Sequence, residues 1–159
     1  MTPIERARNT LLRIRNAALA TVTPAGHPWN TPVFVAVAAD LSFYWSSLRD
    51  AAHSRNIAAN PAVMLALFDS TAPDDTGAGL YVTATARELS EESEIRFGLE
   101  QLAARKHEAA TDPAAFAGRH PHRVYCATPE TIWTNVVRDI EGQVADERVV
   151  IEAAQLFAE

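Results

Sequence analysis

The chain has 159 residues, 48% hydrophobic and 21% charged, a composition that suits one packed domain and excludes a disordered or low-complexity chain. A net charge of −6, with fourteen basic residues scattered and no basic run, excludes a general nucleic-acid binder, whose affinity rests on phosphate contacts. The single cysteine, Cys126, excludes an intrachain disulfide, and no stretch approaches the roughly 20 apolar residues of a membrane span. A lone thiol and a charged N-terminal stretch without an apolar signal core fit a cytoplasmic protein.

In chain order, Thr2-Pro3-Ile4-Glu5 reads as a helix start with a capping box, and the helix runs over 2–15. Strands are expected at 17–23 and 28–37, joined by the turn Pro24-Ala25-Gly26-His27 into a hairpin. Pro32 cannot donate to a ladder, so it marks an edge, a bulge or a place where the sheet opens. A third strand is expected over 41–46 and a helix over 51–59, capped by Asp50 and stopped by Asn60-Pro61. The apolar run 63–68 reads as a buried strand, 69–79 as a polar loop and 80–89 as a long strand. Ser90 is expected to cap a helix of about 91–110, with acids early and bases late to match the dipole. Asp112-Pro113 starts a short helix, and strands at 123–127 and 131–137 flank a turn at 128–130. Residues 138–159 fit either a strand or a terminal helix. About seven strands in hairpins, without a βαβ rhythm or a GxGxxG fingerprint, predict a single domain built as an antiparallel barrel with peripheral helices.

The stretch FYWSSLRDAAHSRNIAANP, residues 43–61, is the centre of the functional reading. A strand ending in Ser46 and Ser47 leads to a helix start carrying His53, Ser54 and Arg55. Free N–H groups at a helix start favour an anion, and a nearby cation adds to that. Zinc is not expected, because the five histidines and one cysteine lack paired-ligand spacing. Trp29, Trp45 and Trp133 read first as packing aromatics, and Cys126 as an inert buried thiol. No nucleophile triad or carboxylate pair stands out, so hydrolysis has no support.

The hairpin ALATVTPAGHPWNTPVFVAV, the 43–68 unit, the strand LYVTATARELS and the segment ATPETIWTN occur in an order that resembles the pyridoxine 5'-phosphate oxidase-like split-barrel family, over roughly residues 10–137. The resemblance implies a six-stranded split β-barrel that dimerises and holds FMN between two subunits. It implies that the backbone of Asn30, Thr31, Pro32 and Val33 runs along the flavin ring. It places the phosphate at Ser46, Ser47, His53, Ser54 and Arg55, and Trp133 near the ring from the partner subunit. The vitamin-B6 oxidases of the family carry arginine and lysine where Thr31 and Ala36 stand here, a basic pair where Ala52-His53 stand, and a C-terminal motif missing from residues 138–159. The resemblance therefore implies a homodimeric FMN-dependent oxidoreductase of unknown substrate, possessing no identified catalytic side chain and using a nicotinamide as one candidate electron donor. The alternatives are an F420-dependent reductase, disfavoured by the single lysine, Lys106, and a flavin-binding or storage protein without turnover. A haem-handling barrel using His27, His107 or His122 is more remote.

Overall fold

The computed structural model describes residues 1–73, 78–140 and 142–156, with the side chains of 139 and 144 left aside. The middle of the expected 69–79 loop and the last three residues of the C-terminal run lie outside them. Helix α1 (Pro3–Arg13) is followed by strands β1 (Asn16–Val22), β2 (Pro28–Phe34), β3 (Ala36–Val37) and β4 (Phe43–Leu48). Helix α2 (Ala52–Ala59), strands β5 (Ala62–Phe68) and β6 (Gly79–Glu88), and helix α3 (Glu92–Lys106) come next. A 3-10 turn (Pro113–Phe116), β7 (His122–Ile140), β8 (Gln143–Val150) and α4 (Ala153–Leu156) complete the chain.

The strands form one antiparallel sheet in the order β2-β1-β5-β6-β7-β4-β3, with β8 on the far half of β7. Alternation along β1 and β5 turns Leu19 and Leu65 inward, where they pack with Phe43, Trp45, Val82 and Tyr125 in the barrel core. A second cluster, Tyr44, Leu89, Ile95, Leu99 and Val124, lies on the other side of β4 and β7 beneath α3. Gly98 allows that approach, since a Cβ there would sit 2.9 Å from Val124 Cγ1 and 3.0 Å from Tyr44 Cδ1.

The capping box at α1 forms as expected, Thr2 Oγ1 accepting from the Glu5 amide and Glu5 from the Thr2 amide. The helix ends at Arg13, two residues early, because the Arg105 side chain takes its last carbonyls, those of Leu11, Leu12 and Ile14, at 2.8–2.9 Å. Arg8 Nε donates to the Leu156 carbonyl at 2.9 Å and holds α4 against α1.

Several expectations are corrected. The run 28–37 is broken at Val35, whose amide turns to the Arg15 carbonyl, so β2 pairs with β1 and β3 with β4. The third strand begins at Phe43, not 41, because Leu41 has a positive φ of 66° in the preceding turn. Asp50 does not cap α2: Ala51 is the N-cap and supplies no side-chain acceptor. Glu91, not Ser90, precedes α3, which stops at Lys106 where His107 turns left-handed. The expected turn at 128–130 is a bulge: β7 continues past it, with Pro129 opposite Ala84 and Thr131 opposite Thr83, so Glu130 is the extra residue. Proline at a bulge removes no ladder bond, which is how one strand absorbs a sequence that reads as a turn. Residues 143–150 form a strand, bringing the count to eight.

Candidate functional site

The break at Val35 makes the split in the barrel. Strand β2 leaves toward β1 while β4 stays with β7, so the two diverge from a shared root at β3. Pro32 lies on β2, the terminal strand, where its missing N–H costs no ladder bond. Trp29 and Thr31 share the side of β2 that carries the buried Val33, and Trp29 Nε1 donates to Thr31 Oγ1 at 3.0 Å. Asn30 and Pro32 are exposed on the opposite side.

Beyond the split stands the start of α2. His53 is 7% exposed and its Nε2 lies 2.8 Å from Ser47 Oγ. Burial pushes the His53 imidazole below its ordinary 6.5, so it is held neutral. Ser54 Oγ donates to the Leu48 carbonyl at 2.8 Å and also meets the Tyr125 hydroxyl, whose pKa burial raises. Asn56 Nδ2 donates to Thr21 Oγ1 at 3.0 Å, fastening the helix to β1. Arg55 is exposed, and its guanidinium donates to the Asp50 carbonyl, so that residue contributes through its backbone. With Ala51 as N-cap, no side chain covers the first-turn amides of α2.

The structure thus brings Ser47, His53 and Ser54 together, leaves Arg55 exposed on the Asp50 carbonyl, and separates two others. Ser46 and Ser47 are consecutive on a strand and face opposite sides: Ser47 turns toward His53, Ser46 outward with Tyr44. The two hydroxyls cannot form one seat. Trp133 lies on the outer face in a cross-strand row running Pro32, Ala18, Ala66, Tyr81, Trp133, Val150. Four strand spacings of about 4.8 Å separate it from Pro32, roughly 19 Å within one protomer. His27, in the β1–β2 turn, His107, at the end of α3, and His122, on β7, sit in three different places, and no metal-ligating group of three exists among the described residues.

Sequence reading missed Arg49 and Arg123. Arg123 is 6% exposed and pairs in register with Ser47; its Nε donates to Glu88 at 3.1 Å and its Nη1 to the His122 carbonyl at 2.7 Å. Glu88 also faces the largely exposed Arg49 at 3.7 Å. Arg49 is the cation next to α2 that the sequence offered in Leu48-Arg49-Asp50, whereas Arg123 is revealed only by strand pairing.

The split barrel agrees with comparisons to known proteins. The family model described as pyridoxamine 5'-phosphate oxidase matches residues 4–135. No curated protein sequence matches the chain. Among solved structures, a protein of unknown function from Agrobacterium tumefaciens is 22% identical with a TM-score of 0.68, covering 85% of this chain and 58% of its own. The chain therefore spans little more than half of that relative. The heme storage protein HutZ from Vibrio cholerae is 18% identical, with a TM-score of 0.65 and coverage of 82% and 92%. An F420 reductase is 24% identical, with a TM-score of 0.58 and coverage of 79% and 94%. At these identities the likeness is one of fold, whereas the family match extends over most of the sequence, and the chain belongs to the pyridoxamine 5'-phosphate oxidase family.

Proposed function

We propose that the protein is an FMN-dependent oxidoreductase working as a homodimer, with the flavin along β2 and its phosphate at the start of α2. The observation that carries this reading is the divergence of β2 from β4 beside an uncapped helix start that holds Ser47 against His53, with Arg55 exposed on the same first turn. The residues suit the group. First-turn amides of α2 and the Ser47 hydroxyl supply donors for a phosphate. Arg55 is exposed and held only by a carbonyl, so it can swing onto an anion, and Arg49 offers a second cation. Beside a dianion the neutral His53 imidazole would gain a proton, since a nearby opposite charge favours the charged form. Bound FMN would supply hydride chemistry. The β2 backbone at Asn30–Val33 would hold the ring.

A second copy would complete the site. The outer sheet face carries small or apolar side chains, Ala18, Ala20, Met64 and Ala66, flanked by Phe68 at 55% and Val150 at 57% exposure. A symmetric partner laid on this face would bring its own Trp133 within reach of the flavin, which resolves the separation of Trp133 from Pro32 in one protomer.

The test is a titration of the purified chain with FMN, riboflavin and F420, followed by flavin absorbance and fluorescence, together with sedimentation. Expected are a dimer and FMN binding tighter than riboflavin by the phosphate contribution, roughly tenfold or more. A monomer with no affinity for FMN overturns the reading. Tighter F420 binding turns it to a deazaflavin reductase. FMN that binds yet cannot be reduced by nicotinamide or reoxidised by common acceptors turns it to a storage protein.

A further inference from the structure

Trp29 stands at the α2 end of β2, directly before the stretch Asn30–Val33, and it is 46% exposed, so the core does not bury it. Its direction is nevertheless fixed. Residues two apart on a strand share a side, and Trp29 Nε1 donates to Thr31 Oγ1 at 3.0 Å, so the indole leans along β2 toward Val33. The bond restricts the rotation of an exposed ring and leaves its apolar face open. The backbone of Trp29 is tied as well. Its carbonyl accepts a long bond of 3.5 Å from the Thr21 hydroxyl, to which Asn56 Nδ2 donates at 3.0 Å. Hydrogen bonds therefore run from α2 through Thr21 to Trp29 and on to Thr31.

Strand β2 ends the sheet and is bonded to β1 on one side only. A planar ring lying edge-on along its free side continues the sheet, and each ring face then meets the side chains of one side of the strand. One side offers Asn30 and Pro32. The other offers Trp29 and Thr31, since Val33 is buried. Of these four, Trp29 alone is aromatic, and its indole lies along the same stretch as the ring would. Two aromatic systems stacked with an offset gain affinity beyond the area they bury.

We propose that Trp29 is the aromatic wall of the flavin site, its indole stacking on one face of the isoalloxazine ring and Thr31 positioning it. The proposal rests on the reading of the cleft as a flavin site. It adds a contact to the ring that is independent of the phosphate contacts at Ser47 and α2. It also leaves the opposite ring face, on the Asn30 and Pro32 side, to the partner subunit.

The experiment follows flavin fluorescence while FMN and riboflavin are titrated with the full chain and with Trp29→Leu, Trp29→Phe, Thr31→Val and Trp133→Leu. An indole stacked on a flavin quenches its emission by electron transfer. Bound flavin should therefore be dark in the native chain and regain emission in Trp29→Leu. That variant should weaken FMN and riboflavin by the same factor, roughly fivefold or more. Thr31→Val keeps the indole but frees it, and should give a smaller loss. Thermal unfolding reports whether each variant folds. If Trp29→Leu does not, Trp29→Phe decides by emission, because a phenyl ring does not quench in this way. Quenching and affinity unchanged in the folded Trp29 variants, quenching lost in Trp133→Leu alone, or a loss confined to FMN overturns the proposal while the flavin reading stands. A native chain that binds neither flavin overturns both.

Discussion

The two ends of the barrel handle buried polarity differently. At the α2 end His53 has Ser47, Ser54 has the Leu48 carbonyl and Tyr125, and Asn56 has Thr21, while Trp45 Nε1, on the ring stacked against Tyr125, has no partner among the described residues. At the α1 end the buried Nη1 of Arg6 and Nε of Arg105 have none among the described residues. Satisfied polar groups fix a geometry, whereas an unsatisfied one is a cost that the fold retains unless something else removes it. The first arrangement is what a positioned cofactor needs.

Breaking a matched pair should have the largest effect. Asn56→Ala removes the donor to the buried Thr21 hydroxyl, leaves that hydroxyl only its long bond to the Trp29 carbonyl and unfastens α2 from β1, and should cost about 1–2 kcal/mol in urea unfolding. Ser47→Ala should leave the fold in place but weaken FMN by about tenfold, with riboflavin little changed, because the lost donor faces the phosphate end. Thr2→Ala removes the α1 cap and should cost about 1 kcal/mol, so the α1 end is locally well made despite its orphaned guanidinium. Arg6→Met should leave stability unchanged or raise it by up to about 1 kcal/mol in thermal unfolding, since the buried Nη1 has no acceptor among the described residues.

The pH dependence of the α2 end sharpens the contrast further. The folded pKa of His53 is below its unfolded value of about 6.5. The unfolded chain therefore binds the extra proton first, and stability present above pH 6.5 is lost as pH falls through and below it. His53→Gln should flatten that dependence between pH 8 and 5, read from urea midpoints. Bound FMN should weaken it as well, by restoring the proton to the native imidazole.

Much of the fold was legible because local rules and tertiary context agree. The capping box, the hairpin, Pro32 on an edge strand and the Asn60-Pro61 stop each follow from one residue's backbone chemistry. The failures share a cause. Asp50, Ser90 and Thr128-Pro129-Glu130 carry strong local signals that the structure overrides, the first two because other residues occupy the cap position, the third because pairing to β6 extends through it. At the site, the residue types of the 43–61 stretch were legible, but the direction of each side chain was not. That Ser46 turns away and Trp133 lies four strands off depends on pleat and register. Arg123 was invisible because its relation to Ser47 exists only across the β4–β7 ladder.

Strand β7 ties these pieces together, and its length has a consequence for how the molecule opens. Its first part pairs with β4, its middle with β6 and its last part with β8. No strand of the split barrel can peel away toward the middle without disturbing that spine. Amide hydrogens between Val124 and Thr134 should therefore be among the last to exchange with solvent, at the rate set by global unfolding, whereas those of β2, held by a single neighbour, should exchange by local opening. The strand that borders the proposed cofactor cleft would then be free to breathe without loosening the rest of the barrel.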